Sequence, residues 1–238
     1  MNRLFAFFAA LALSLPVFAI EENEVRAVDI KDFDALVVSL SAKIDYQCST
    51  EPYLELSGAG KKLLDAVEIV EKDGVLSIGM KKGESLRNVS RIRVRVGSRK
   101  ISRIDLPGAV DFRSHGDIRS NGDFSLSLSG AGSAEVFDIE ADAMTLKLNG
   151  AGHLAVTGAR CKSVKSMVSG AGSLDVTAIN CAGLLDCSVN GVGGASFEGR
   201  SDSAKLKING AGGIDVRQLD CKNISSSVNG IGSIKTPN

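Results

Sequence analysis

Five cysteines, a run of alternate arginines and a set of evenly spaced carboxylates are the residues of this chain whose types and spacing could do chemistry. Cys161, Cys181 and Cys221 fall on one 20-residue beat, with Ala141 one step earlier, whereas Cys48 and Cys187 lie off it. If that beat is a stacked structural repeat, Cys161 and Cys181 sit about 4.8 Å apart, within the Cα range of a disulfide. They form the candidate disulfide; Cys221, two steps below Cys181, is out of reach. The column reads equally as small buried side chains, because free Cys packs as a small hydrophobe and directly stacked residues seldom have the twist a disulfide needs. Counting thiols under denaturing, non-reducing conditions separates the two. An odd number of cysteines leaves at least one free or paired between chains. With no Cys-x-x-Cys and only two histidines, no metal site and no cofactor are expected.

Arg91, Arg93 and Arg95 alternate with Ile92, Val94 and Val96. On a strand this places the apolar residues inward and the three guanidinium groups on one outer face. The wider segment from Lys81 to Arg103 holds nine positive residues against the single acid Glu84. Such a face is a candidate site for sulfate, phosphate or carboxylate groups of an anionic glycan or cell-surface ligand. It is also what a solvated strand guarded by charge against edge pairing looks like. Glu135, Asp175 and Asp215 share a column on alternate repeats, about 9.6 Å apart, which is wide for a general acid and its partner. His115 and His153 have no nucleophile signature beside them, and Gly191-Val192-Gly193-Gly194 precedes no helix pattern, so it lacks the context of a phosphate loop. A catalytic site is not expected; a carbohydrate-active β-helix enzyme is the third reading of function.

The elements that must position these residues announce themselves in six tripeptides. These are Gly130-Ala131-Gly132, Gly150-Ala151-Gly152, Gly170-Ala171-Gly172, Gly191-Val192-Gly193, Gly210-Ala211-Gly212 and Gly230-Ile231-Gly232. Each follows Ser or Asn, and their first glycines are 20, 20, 21, 19 and 20 residues apart. A fixed period of that length marks a solenoid in which each repeat is a rung. Inward columns follow, such as Leu126, Leu146, Ser166, Cys187, Leu206 and Ser226, or Leu128, Leu148, Val168, Val189, Ile208 and Val228. The glycines supply corners that need positive φ or close backbone approach. On that ground Gly170→Val is expected to cost more than Gly183→Val. Upstream, Asp29 to Tyr46 reads as two short strands, Lys61 to Val67 as a helical turn, and Lys72-Asp73-Gly74 as a hairpin between apolar strands.

The chain opens Met1-Asn2-Arg3 and then runs uncharged from Leu4 to Ile20, the pattern of a signal peptide cleaved after Ala19. The expected division is a signal peptide at 1–19 and one domain at 20–238, with an N-terminal β region at 20–100 and solenoid repeats at 101–238. The 28 basic and 28 acidic residues balance, which argues against nucleic acid as a partner. No later apolar run is long enough to span a bilayer. The fold class is therefore all-β, a parallel β-solenoid with rungs of about 20 residues behind an N-terminal hairpin region.

The Ser/Asn-Gly-Ala-Gly rungs, the Phe33 to Tyr46 opening, Leu63-Leu64-Asp65, the Lys72-Asp73-Gly74 hairpin and the closing Val228 to Ile234 together resemble one family. It is the putative auto-transporter adhesin, head GIN domain, and the resemblance spans nearly all of the chain after the leader. It implies an exported bacterial all-β protein with a right-handed β-helix-like repeat region, and it carries over no catalytic residue. The function expected is a non-catalytic surface or periplasmic binding module. The alternative is a structural or envelope-stress-related periplasmic protein without a specific ligand. An open solenoid end is a candidate site for homo-oligomer pairing.

Overall fold

Alternation at period two makes strands, and recurrence at period 20 lets each strand find its own counterpart one rung away. In a computed structural model, residues 23–84 and 92–237 are described. The candidate leader at 1–19 and Arg91 lie outside the described residues. The opening region comprises β1 (Asn23–Val28), β2 (Ala35–Val38), β3 (Ala42–Cys48), β4 (Tyr53–Ala59), α1 (Lys61–Asp65), β5 (Val67–Lys72), β6 (Val75–Met80) and β7 (Arg93–Ser98). The rungs follow as β8 (Arg103–Leu106), β9 (Val110–His115), β10 (Ile118–Arg119), β11 (Phe124–Leu128), β12 (Ala131–Glu140), β13 (Ala143–Cys161) and β14 (Ser163–Gly170). The last are β15 (Ser173–Gly191), β16 (Gly194–Gly210), β17 (Gly213–Asp215), β18 (Leu219–Gly230) and β19 (Ser233–Lys235). They wind into a parallel β-solenoid of about seven turns.

The register is the one the period demands. Leu126 pairs with Leu146, Leu146 with Ser166, Ser166 with Cys187, Cys187 with Leu206 and Leu206 with Ser226. The neighbouring column from Leu128 to Ile208 is fully buried at every rung. Each buried Leu, Ile or Val in such a column stabilises by roughly 1.5–3 kcal/mol. Ser166, buried among apolar neighbours, turns its hydroxyl to the Asp186 carbonyl.

The parallel ladder starts before Ile101. β2 pairs in parallel with β8, and β3 with β9, so Ala35–Cys48 already forms a rung. Its corner is Ser39-Leu40-Ser41, and the Leu40 carbonyl lies under Gly108. The hairpin β5–β6 turns at Asp73 and Gly74, both at positive φ, and hands its second strand to β2. Gly58-Ala59-Gly60 resembles a repeat tripeptide, yet it ends β4 and leads into α1, whose Leu64 is buried over the core. Tyr46 of this rung stacks on Phe112 of the rung paired with it, ring centroids 6.4 Å apart. The Tyr46 hydroxyl meets Ser98 Oγ at 3.0 Å, and burial pushes its titration far upward.

Candidate binding face

One stack of strands runs the length of the molecule: β1, β4, β7, β3, β9, β12, then the second part of β13, the first parts of β15 and β16, β17 and β19. Its inner side belongs to the core, as with Ala134, Leu154, Leu174 and Ile214. Its outer side carries two polar rows, because in a strand every second residue faces out. The first row reads Arg93, Lys43, Asp111, Ser133, His153, Ser173. The second reads Glu55, Arg95, Asp45, Arg113, Glu135, Ala155, Asp175, Ser196, Asp215, Lys235.

Opposite charges alternate along the second row from Glu55 to Glu135, and charges pair on both rows. Arg95 reaches Glu55 at 3.6 Å, Lys43 reaches Asp111 at 3.6 Å, and Arg113 holds Glu135 at 2.8 Å. His115 meets Asp45 at 3.0 Å, and Ser133 donates to Asp111 at 3.1 Å. The structure thus brings Arg93 and Arg95 together on one outer face and interleaves them with carboxylates from β3, β4 and β9. These exposed pairs contribute little stability individually; their effect is to fix long side chains in a regular array.

Further along, His153 Nδ1 lies 2.8 Å from Ser173 Oγ and 3.4 Å from Asp175 Oδ2, and Ser196 donates to the other Asp175 oxygen. Serine, histidine and aspartate are all present here. Acyl transfer, however, needs the serine and the aspartate on opposite ring nitrogens, and here both address Nδ1. No nucleophile stands beside His153 in the sequence; stacking brings Ser173 and Asp175 to it from the next rung. The signal was available, since Ser133, His153 and Ser173 stand one period apart, two residues before the Glu135–Asp175 column. Among the described residues no group of three or more His, Cys, Asp or Glu gathers as a metal site.

Asp215 ends the carboxylate row. Arg217 grips it from Nη2 at 2.6 Å and Nε at 3.0 Å, and the Arg217 backbone N–H donates at 3.1 Å. These bonds hold its pKa at about 2, so it is a fixed anion, unsuited to donating a proton. Because the folded pKa lies below the ordinary value near 4, the bond helps stability above that value and the help is lost as pH falls towards 2. A carboxyl NMR titration is expected to give a midpoint near 2 for Asp215, rising towards the ordinary value in Arg217→Gln. A wild-type midpoint near 4 would remove the pair.

The cysteine column lies on a different stack. Cys161 faces Cys181 in register, Cys181 faces Ser201, and Ser201 faces Cys221. All five cysteines are free thiols in this structure. The Cys181 thiol donates to the Lys162 carbonyl at 3.7 Å, and the interaction of the two facing thiols raises the pKa of Cys161 and lowers that of Cys181. Burial pushes Cys187 up to about 12. Beside Cys161 a cleft of about 440 Å³ is lined by Glu140, Asp142, Arg160 and Lys162, with Lys162 tied to Asp142 at 2.7 Å.

The sequence matches the family described as putative auto-transporter adhesin, head GIN domain, over residues 32–198. Among solved structures the chain is similar to a putative adhesin from Bacteroides fragilis NCTC 9343. They share 18% identity over 91% of this chain and 97% of that one, with a TM-score of 0.79. It is also similar to a putative adhesin from Parabacteroides merdae ATCC 43184, with 17% identity, 91% and 96% coverage and a TM-score of 0.69. A putative lipid binding protein from Parabacteroides distasonis ATCC 8503 gives 18% identity, 91% and 97% coverage and a TM-score of 0.69. At these identities the likeness is one of fold. No curated protein matches the sequence.

Proposed function

This chain belongs to the family of putative auto-transporter adhesin head GIN domains, and on that premise we propose that it is an exported, non-catalytic binding module of the cell envelope. Its ligand face is the long sheet carrying Arg93 and Arg95, and its ligand is an anionic surface polysaccharide or another polymer bearing repeated carboxylate, sulfate or phosphate groups. The observation that carries this reading is the in-register array of polar side chains, one row step for each rung of about 4.8 Å. Arg93 and Lys43 stand next to each other on paired strands, so two cations are offered side by side at one end of the array. Arg95 adds a third, shared with Glu55. Such a surface suits a chain lying along it, engaged weakly at many points, better than a small molecule enclosed in a cavity. Export rests on the leader pattern at 1–19.

The purified protein is expected to be retained on immobilised polyuronate but not on neutral dextran, with retention falling as salt screens the exposed charges. Lys43→Glu combined with Arg93→Glu should weaken retention by roughly tenfold or more, on the order of 1.4 kcal/mol. Equal binding by wild type and variant, or equal retention on the neutral polymer, overturns the reading. Fractionating the producing cells, with the chain found in the cytoplasm, would remove the export half of it.

A further inference from the structure

The two ends of the solenoid are finished differently. At the first end the outermost strands carry charge: Glu24 and Arg26 on β1, Glu68, Glu71 and Lys72 on β5, and Arg119 on β10. Helix α1 also closes over the core there, tied down by Arg26, which donates to the Leu64 carbonyl at 2.9 Å. Charged edge residues and a covering helix are how natural sheets prevent edge-to-edge pairing.

The other end has no covering helix among the described residues, and the charges of its outermost strands, Asp220, Lys222 and Lys235, stand only at the margins. Among the described residues, β18 pairs only with β16, and β19 only with β17. From Asn223 to Ile234 there is no charged residue and no proline. The inward columns continue into this rung: Ile224 lies under Ala204, Ser226 under Leu206, Val228 under Ile208 and Ile234 under Ile214. Ile208 is fully buried, whereas Val228 is 41% exposed and Ile231, at the corner tip, is 93% exposed. Among the described residues no strand covers this face.

We propose that this face pairs with the same face of a second copy of this chain, giving a closed two-fold dimer joined end to end. Two-fold pairing runs β18 antiparallel to its own copy. With Ser226 on the axis, Ile224 of each copy lies over Val228 of the other, and the inward side chains stay inward in both, as register requires. Over this overlap, Asn223 to Asn229, no like charges oppose each other. The last rung, Gln218 to Pro237, spans 20 residues, of which Leu219 is already buried, against the roughly 20–30 residues a side of a standard stable interface. Because the opposite end is charged and covered, the contact is self-complementary and closes at two instead of running on into a fibre. The long binding face stays open, so the dimer would present two such faces.

Sedimentation velocity of the purified protein at tens of micromolar is expected to show a species of twice the chain mass. Ser226→Lys and Val228→Lys, both at exposed positions, should raise the dimer dissociation constant at least tenfold while circular dichroism stays that of the wild type. Val25→Lys at the charged end should change nothing. In a Cys221→Ser background, Ser226→Cys should form a covalent dimer on mild oxidation by a small disulfide such as oxidised glutathione, each protein disulfide forming as one glutathione disulfide is reduced to two glutathione thiols. A monomer throughout that range, a dimer indifferent to charge at positions 226 and 228, or oligomers longer than two overturns the proposal. Loss of the dimer is expected to weaken polysaccharide retention without abolishing it, because Lys43 and Arg93 stand on strands remote from β18; a monomer that is still retained overturns this proposal alone.

Discussion

Gly170→Ala is expected to lower stability by about 3–4 kcal/mol, while Gly194→Ala leaves it within about 1 kcal/mol. Gly170 stands at φ +124, a conformation that side chains resist. A methyl group built there would lie 2.5 Å from the Gly150 carbonyl oxygen and 3.2 Å from its carbon and nitrogen. That same oxygen accepts the Ala171 N–H at 3.0 Å, so relieving the clash stretches a rung-to-rung hydrogen bond as well as straining the corner. Gly194 has an ordinary φ, and the nearest atom to its methyl position is the Gly213 oxygen at 3.5 Å. Gly183 falls between the two: its φ is ordinary, but the Lys162 carbonyl oxygen is 2.6 Å away. The ordering Gly170 above Gly183 therefore stands with a smaller gap than sequence alone implies, and Gly194 is the better control. Thermal melts should show a fall of about 10 °C for Gly170→Ala. Equal melting of the Gly170 and Gly194 variants would mean that the rungs are not in backbone contact at this corner.

The rungs from Phe124 onwards are legible in the sequence because a period near 20 states the register of each corner, although the one-residue shifts between Val176 and Ile179 and between Cys181 and Leu184 come only from the structure. Lys43, Arg95 and Glu55 show the opposite case. They meet through a parallel pairing of β3 with β7 and an antiparallel pairing of β4 with β7, none of which repeats. Reading outward arginines from the alternation at 93 and 95 needs only local geometry; knowing that Glu55 neutralises one of them needs a long-range partner. The rung at Ala35–Cys48 was hidden for a similar reason, since its corner is Ser39-Leu40-Ser41 and carries no glycine signature. The Ser/Asn positions before the tripeptides form a side-chain ladder where they are all Asn: Asn209 donates to Asn190 at 2.7 Å and Asn229 to Asn209 at 3.1 Å. A serine is too short to span one rung, which is a matter of reach and not of spacing.

The two glycines of each tripeptide serve different ends, and this sets up the second large effect. The first glycine meets the carbonyl of the rung before it, as at Gly170. From Gly152 onwards the third also faces an inward side chain of an earlier rung: a methyl at Gly172 would lie 2.6 Å from Leu148 Cδ2 and 2.5 Å from the Gly152 oxygen, and one at Gly232 would lie 2.6 Å from Ile208 Cγ2. The core leucine leans into the space that the absent side chain leaves. Leu148, fully buried between Leu128 and Val168, should therefore cost about 3–4 kcal/mol on replacement by alanine, from lost transfer energy and the cavity left behind. Val228→Ala, in the same column but half uncovered at the last rung, should cost under about 1 kcal/mol in the monomer. Gly172→Ala alone should cost about 2–3 kcal/mol by overpacking. Combined with Leu148→Ala it should cost about 1 kcal/mol less than the sum, because the smaller side chain gives the new methyl room, while the Gly152 carbonyl keeps the relief partial. Strict additivity in denaturant melts would separate Leu148 from Gly172 and break the stacking of rung on rung at the point where it is tightest.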